Sequence, residues 1–124
     1  MYLTEFDPLR RLVKITVAGD TDAEEVISAR ESLRALLREV QPGFRLLADL
    51  SALVCMPTSA APHLGEIMEL CAEKGVALVV RLLPPEPGKD IGLAIISQFH
   101  YPPHVPIVTC ATMEEAMRLL EEKN

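Results

Sequence analysis

The stretch Arg45-Leu-Leu-Ala-Asp-Leu-Ser-Ala-Leu-Val-Cys-Met-Pro-Thr-Ser-Ala-Ala-Pro-His-Leu-Gly-Glu-Ile-Met68 decides the fold. Its first part, Arg45 to Leu50, is a short apolar run of the kind that forms a strand buried on both faces. Pro57, Thr58 and Ser59 follow in a loop. Leu64, Ile67, Met68 and Cys71 then recur at helical spacing, with Thr58 or Ser59 as the expected N-cap. Strand, hydroxyl-bearing loop and helix in that order put small polar groups at a helix start, where free N–H groups and the dipole favour an anion. Pro62 is acceptable in the first turn of that helix, and Gly75 is its expected stop.

Upstream of this stretch, Tyr2 to Phe6 reads as an edge strand turned by Asp7-Pro8. Leu12 to Val17 alternates apolar and polar from Val13 on, the period of a strand with one wetter face. The two predict a hairpin. Thr21 precedes Glu24 by the spacing of a capping box and opens a helix with Val26, Ala29, Leu33, Leu36, Leu37 and Val40 on its apolar side. Pro42-Gly43 ends it.

Downstream, Val76 to Leu82 is another nearly continuous apolar strand, Pro84 to Gly88 a stiff loop, and Asp90 the cap of a short helix from Ile91 to about Phe99. Val105 to Thr109 makes the last strand. Thr112 and Glu115 form a second capping box for a helix that buries Met113, Ala116, Leu119 and Leu120. The resulting order, β-β-α-β-α-β-α-β-α, predicts one α/β domain over residues 1–124. Its sheet is mixed but mostly parallel, of four to five strands with about four helices, and the N-terminal hairpin supplies the antiparallel edge. An edge strand of this kind can also pair two copies into a homodimer.

Composition narrows the function classes. The chain has 124 residues, 49% of them apolar, with no Trp, so its core is aliphatic. A formal net charge of −6 disfavours binding to nucleic acid or an anionic membrane through charge. Three Cys without CxxC spacing do not form a disulfide framework, and the first residues lack the pattern of a signal peptide. Apolar stretches are too short to span a bilayer. The expectation is a soluble cytoplasmic protein.

Ligands of parallel sheets gather beyond the carboxyl ends of the strands. That rule selects Asp20, Asp49, Ser51, Thr58, Ser59, Arg81, Lys89 and Asp90 as a candidate binding rim. Each has a plainer role beside the functional one. Thr58 and Ser59 also suit a simple helix cap, Asp49 a bond to backbone N–H groups in the next turn, and Arg81 and Lys89 solvated charges with buried stems. Asp20 beside Asp49 would resemble a phospho-receiver, but the strand order and the lack of a well-placed Lys oppose that.

His100, Tyr101 and His104 form a candidate partner surface on the opposite rim. They do not make a zinc site, because Cys110 lies about 17 Å away along its strand and three or four ligands must converge. Cys55 and Cys71 read as small core residues, and a Cys55–His63 nucleophilic pair lacks the basic surroundings that would lower a thiol pKa. No metal, no cofactor and no catalytic motif emerges.

The element order, with Leu47-Ala-Asp-Leu-Ser51 on the central strand, resembles the STAS domain of bacterial anti-sigma-factor antagonists, in its divergent SpoIIAA-like branch. The resemblance covers nearly the whole chain. In antagonists this region reads like "DLSGV..DSSGLG", whose Ser after the second Asp is the phosphoacceptor. Asp49-Leu50-Ser51 matches the first part, and Pro57-Thr58-Ser59 falls on the acceptor triplet. Thr58 thus stands at the phosphoacceptor and Ser59 beside it, with Pro57 in place of the Asp and Ala60 in place of the following Gly. The resemblance implies a non-catalytic regulatory module with a protein partner of the anti-sigma or kinase kind. A related lipid-transfer fold implies the alternative, a small apolar or anionic ligand such as a lipid or nucleotide.

Overall fold

The computed structural model describes residues 1–83 and 101–122, without the side chains of Cys55 and Glu122. Five strands form the main sheet in the order β1 (Tyr2–Asp7), β2 (Leu12–Val17), β4 (Arg45–Asp49), β6 (Leu78–Leu82) and β7 (Ile107–Cys110). Only β1 runs antiparallel to its neighbour, with Tyr2 opposite Val17 and Asp7 opposite Leu12. The other pairs are parallel, so that Ile15, Ala48, Arg81 and Thr109 lie in one row across the sheet. Helices α1 (Ala23–Leu37) and α2 (Ala61–Lys74) pack on one face and α3 (Met113–Glu122) on the other. The expected mixed, mostly parallel sheet is present. The loop expected over 84–88 and the helix over 91–99 lie outside the described residues.

Two short strands were not foreseen. Gly19–Asp20 (β3) and Leu53–Cys55 (β5) pair in parallel as a second, two-stranded sheet. Both are too short for a periodic signal, and Gly19 takes a left-handed φ of 71° where the chain leaves β2.

The helix starts differ in part from the sequence reading. The cap of α1 is Asp22, not Thr21: its carboxylate accepts the Glu25 N–H at 2.8 Å, while Thr21 is buried and donates its hydroxyl to the Ala18 carbonyl at 3.1 Å. Asp is as good a cap as Thr, and burial of Thr21 moves the boundary by one residue. Neither Thr58 nor Ser59 caps α2. A 3₁₀ turn over Thr58–Ala60 precedes it, Ala60 is the boundary residue, and Pro62 sits in the first turn as expected. Thr112 does cap α3, accepting the Glu115 N–H at 3.1 Å, and the Glu115 carboxylate accepts in return from Ala111 at 3.4 Å. The last strand begins two residues later than read, because Val105 is used in a turn onto Pro102.

Gly75 ends α2 in the left-handed region at φ 94°, where an added Cβ would meet Pro42 Cβ at 3.0 Å. Beside it, the Gly43 N–H donates to the Gly75 carbonyl at 2.8 Å and Arg11 donates to Pro42 O at 2.7 Å. The hairpin turn after β1, weak in turn residues, is held instead by Asp7, whose Oδ1 accepts from Leu9 at 3.1 Å and Arg10 at 3.3 Å. Arg11 there takes a positive φ of 51°.

The first residue of β4 is also more than a strand start. Arg45 is 7% exposed, and its guanidinium donates to the Leu120 carbonyl in the last turn of α3 and to the Arg10 carbonyl in the hairpin turn. Burial first, then Arg10 and Arg11, push its pKa down from the ordinary range. One cation therefore satisfies a C-terminal helix carbonyl and ties two otherwise separate elements to the central strand. Replacement Arg45→Met is expected to cost about 2 kcal/mol, because two carbonyls lose a charged donor and the relief of burying a charge returns only part. Urea unfolding measures the loss, and hydrogen exchange should show it as faster opening of the last turn of α3.

Candidate functional site

The carboxyl ends of β2, β4 and β6 meet the loops that lead into α1 and α2, and the small β3–β5 sheet crosses this rim. Asp20 is the Cα partner of Cys55, so pairing brings the strand leading to Pro57 alongside the residue before α1. Asp20 is exposed there. Leu50 extends the β4–β6 ladder with an N–H to Leu82 O at 2.8 Å, and the chain then turns through Asp49–Ser51. Asp49 Oδ1 accepts both the Ser51 N–H, at 3.1 Å, and the Ser51 hydroxyl, at 2.6 Å. This is the turn-holding role, which occupies one carboxylate oxygen and fixes the loop.

Thr58 and Ser59 are exposed on the turn that follows, and their hydroxyls bond to nothing among the described residues. Val54 of β5, just ahead of them, is an apolar side chain 63% exposed. It was missed in the sequence, where Leu53-Val54-Cys55 reads as a uniform apolar run; pairing with β3 buries Leu53 and turns Val54 outward.

Arg81 does not join this group. It shares a row with Ala48 while Asp49 is the next residue along β4, so the pleat sends the two side chains to opposite faces. Arg81 points toward α2 and donates from Nη2 to Thr109 Oγ1 at 3.1 Å. Lys89, Asp90 and His100 lie outside the described residues. Tyr101 is buried at 7% exposure in the core beneath α2, so it contributes no partner surface, while His104 is exposed on the turn before β7. Burial pushes the Tyr101 phenol well above its usual range.

The first turns of α2 carry a charged link to α1. Glu66 accepts from Arg30 of α1, and its other oxygen lies 3.4 Å from His63 Nδ1. Arg30 also donates to Glu31 at 2.8 Å, and chiefly for that reason the Glu31 carboxyl is held below its usual range. Of these contacts the Arg30–Glu66 pair is the one that ties α2 to α1.

Between α2 and the sheet, Ile15, Leu46, Ala48, Ile67, Val79 and Tyr101 are among the residues around a cavity of about 40 Å³. Small-molecule sites are on the order of 300–1,000 Å³, so this space has room for a water or two rather than a lipid. No group of three or more His, Cys, Asp or Glu among the described residues converges for a metal, and no described helix is long and apolar enough to cross a membrane.

The layers and strand order define the class: this is the STAS-type α/β fold. The sequence matches no protein-family model and no curated protein. An anti-sigma factor antagonist from Mycobacterium paratuberculosis superposes with a TM-score of 0.61 at 20% identity, over 98% of this chain and 93% of that one. The Bacillus cell fate determinant SpoIIAA, in its phosphorylated form, gives 0.60 at 19% identity, over 97% and 99%. At such identities the likeness is one of fold, and it bears out the architecture read from the sequence.

Cys71 and Cys110, the thiols whose side chains are described, are both buried. Cys71 is fully buried on α2, and burial pushes its pKa up to about 12. Its unfolded counterpart ionises near 9, so the unfolded chain loses this proton first as pH rises. Stability is therefore expected to fall by about 1.4 kcal/mol per pH unit between roughly 9 and 12 from this group alone. Urea midpoints from pH 8 upward give the slope, and Cys71→Val should remove its portion. Equal slopes in the two chains would refute the assignment.

Proposed function

We propose that the protein is a non-catalytic regulatory module that docks a protein partner on the rim formed by Asp20, Ser51, Val54, Thr58 and Ser59 and on the outer surface of α2. The observation that carries this reading is Val54, a large apolar side chain held out to solvent beside two unengaged hydroxyls on a rigid turn. One exposed apolar side chain is ordinary on a protein surface, and Val54 gains its weight from standing on the rim next to the exposed Thr58 and Ser59. The fold shared with an anti-sigma factor antagonist supports a partner of the anti-sigma or kinase kind, met in the cytoplasm.

Phosphorylation is the control we propose for this rim, at Thr58 or its neighbour Ser59. A phosphoryl group adds about −1.5 to −2 charges, here ahead of the start of α2 and three residues beyond Cys55, the β-pairing partner of Asp20. It would meet the positive helix end in the free protein and oppose an acidic partner surface in the complex.

The test places a photo-crosslinking residue at Val54, with Glu114 on α3, 82% exposed, as the control position. In the native host, position 54 is expected to capture a discrete polypeptide and position 114 none. A ~80 Da increment localised to Thr58 or Ser59 would accompany the uncomplexed form. Capture at both positions alike, or at neither, would sink the docking reading; an unmodified Thr58 and Ser59 would sink the phosphorylation.

A further inference from the structure

We infer that β1 is a self-pairing edge, through which two copies of this chain join antiparallel about a two-fold axis at Thr4. The inference rests on backbone parity. Met1 and Ala18 exchange two hydrogen bonds, of 2.9 and 3.1 Å, and the β1–β2 register runs unbroken from Tyr2↔Val17 to Asp7↔Leu12. Bonded pairs alternate along an antiparallel ladder, so Leu3, Glu5 and Asp7 turn their N–H and C=O groups toward β2. Tyr2, Thr4 and Phe6 therefore turn theirs outward, where β1 is the outermost strand of the sheet.

A two-fold axis at Thr4 pairs Thr4 with Thr4 and Tyr2 with Phe6 of the second copy, so every outward group is used. It also sets Leu3 against Glu5, whereas an axis at Glu5 would oppose two carboxylates. Glu5 lies opposite Lys14 in the β1–β2 register. The strand carries no Pro and no bulge, and its two charges, Glu5 and Asp7, are carboxylates in its far half. Three of the four large apolar side chains exposed among the described residues lie along this edge: Met1 just before β1, Leu3 on it and Leu9 in the turn after it.

Charge favours a second copy as the occupant. Glu25 lies 2.5 Å from the Met1 amine, which places the acidic first turn of α1, Glu24 and Glu25, at the Met1 end of β1. Antiparallel pairing brings the Arg10-Arg11 turn of one copy beside that acidic turn of the other, twice over. The strand is about 20 Å long, so the interface falls at the small end of specific interfaces and the dimer should dissociate on dilution and weaken in salt.

Sedimentation velocity of the whole chain over a range of concentrations is the test. The mass should rise with concentration from 13.6 kDa to twice that value and no further, and move back toward 13.6 kDa in high salt. Thr4→Pro removes an outward N–H that no intramolecular bond uses, together with the 2.8 Å hydroxyl bond between Thr4 and Ser32 of α1. Thr4→Val, which loses that hydroxyl bond but keeps the N–H, is the control. Only the Pro variant should weaken association at least tenfold, while keeping the circular dichroism of the Val control. If the Pro variant fails to fold, hydrogen exchange on the parent decides: the Thr4 and Phe6 amides should gain protection on concentration. A mass fixed at 13.6 kDa, open-ended polymers, undiminished association of folded Thr4→Pro, or unchanged exchange at Thr4 and Phe6 would each overturn the inference.

Discussion

Because β4 lies third of five strands with helices over both faces, its successive side chains must satisfy two cores at once. Leu46 and Ala48 face α1 and α2, while Arg45, Leu47 and Asp49 face the side of α3. Leu46 and Leu47 are both essentially without exposure, each contributing roughly 1.5–3 kcal/mol of burial to a different core. The polar residues fall at the two ends of the strand, where carbonyls and turns can receive them. Arg45 closes one end against α3 and the hairpin turn; Asp49 closes the other against Ser51. The strand is thus apolar where it is covered and polar where it is not, and both loops leave it in fixed directions.

That division explains how much of the molecule was legible in its sequence. Several local signals were read correctly: the alternation of Leu12–Val17, Gly75 as a stop, the Thr112–Glu115 box, and the apolar stripe of α1 as far as Leu37, where the helix ends before Val40 and the expected stop at Pro42-Gly43. Local interactions decide each of these. What went unread depends on tertiary pairing. β3 and β5 exist because two short segments meet at the rim, and neither carries a period. Arg45 looks like any charged residue opening a strand until α3 arrives from 75 positions away. Tyr101 looks like a surface aromatic beside two His, yet it fills the space beneath α2.

The candidate site was legible only as a rim. The rule for parallel sheets located Asp49, Ser51, Thr58 and Ser59 at one end, and the described structure keeps them there. It could not sort them by face, because a one-residue step along a strand reverses side-chain direction. Arg81 is lost from the group for that reason alone. Val54 is gained by the same alternation, once β3 pairs with β5.

The rim also rests on a stiff base, which bears on the kind of signal it can pass. Pro62 restricts the first turn of α2, Gly75 fixes its last, and Glu66 bonds it to Arg30 of α1. The Asp49–Ser51 turn is internally satisfied, and the cavity under α2 is too small to let the helix settle inward. A charge added at Thr58, as proposed above, would have little slack to move and would act mainly where it stands, by changing the field that a partner meets. On the phosphorylation proposed above, control of this surface would be electrostatic rather than conformational, and it would leave the proposed β1 edge, on the first strand of the same sheet, unaffected. The two proposed surfaces would in this way be engaged independently, the rim set by its charge and the β1 edge by concentration.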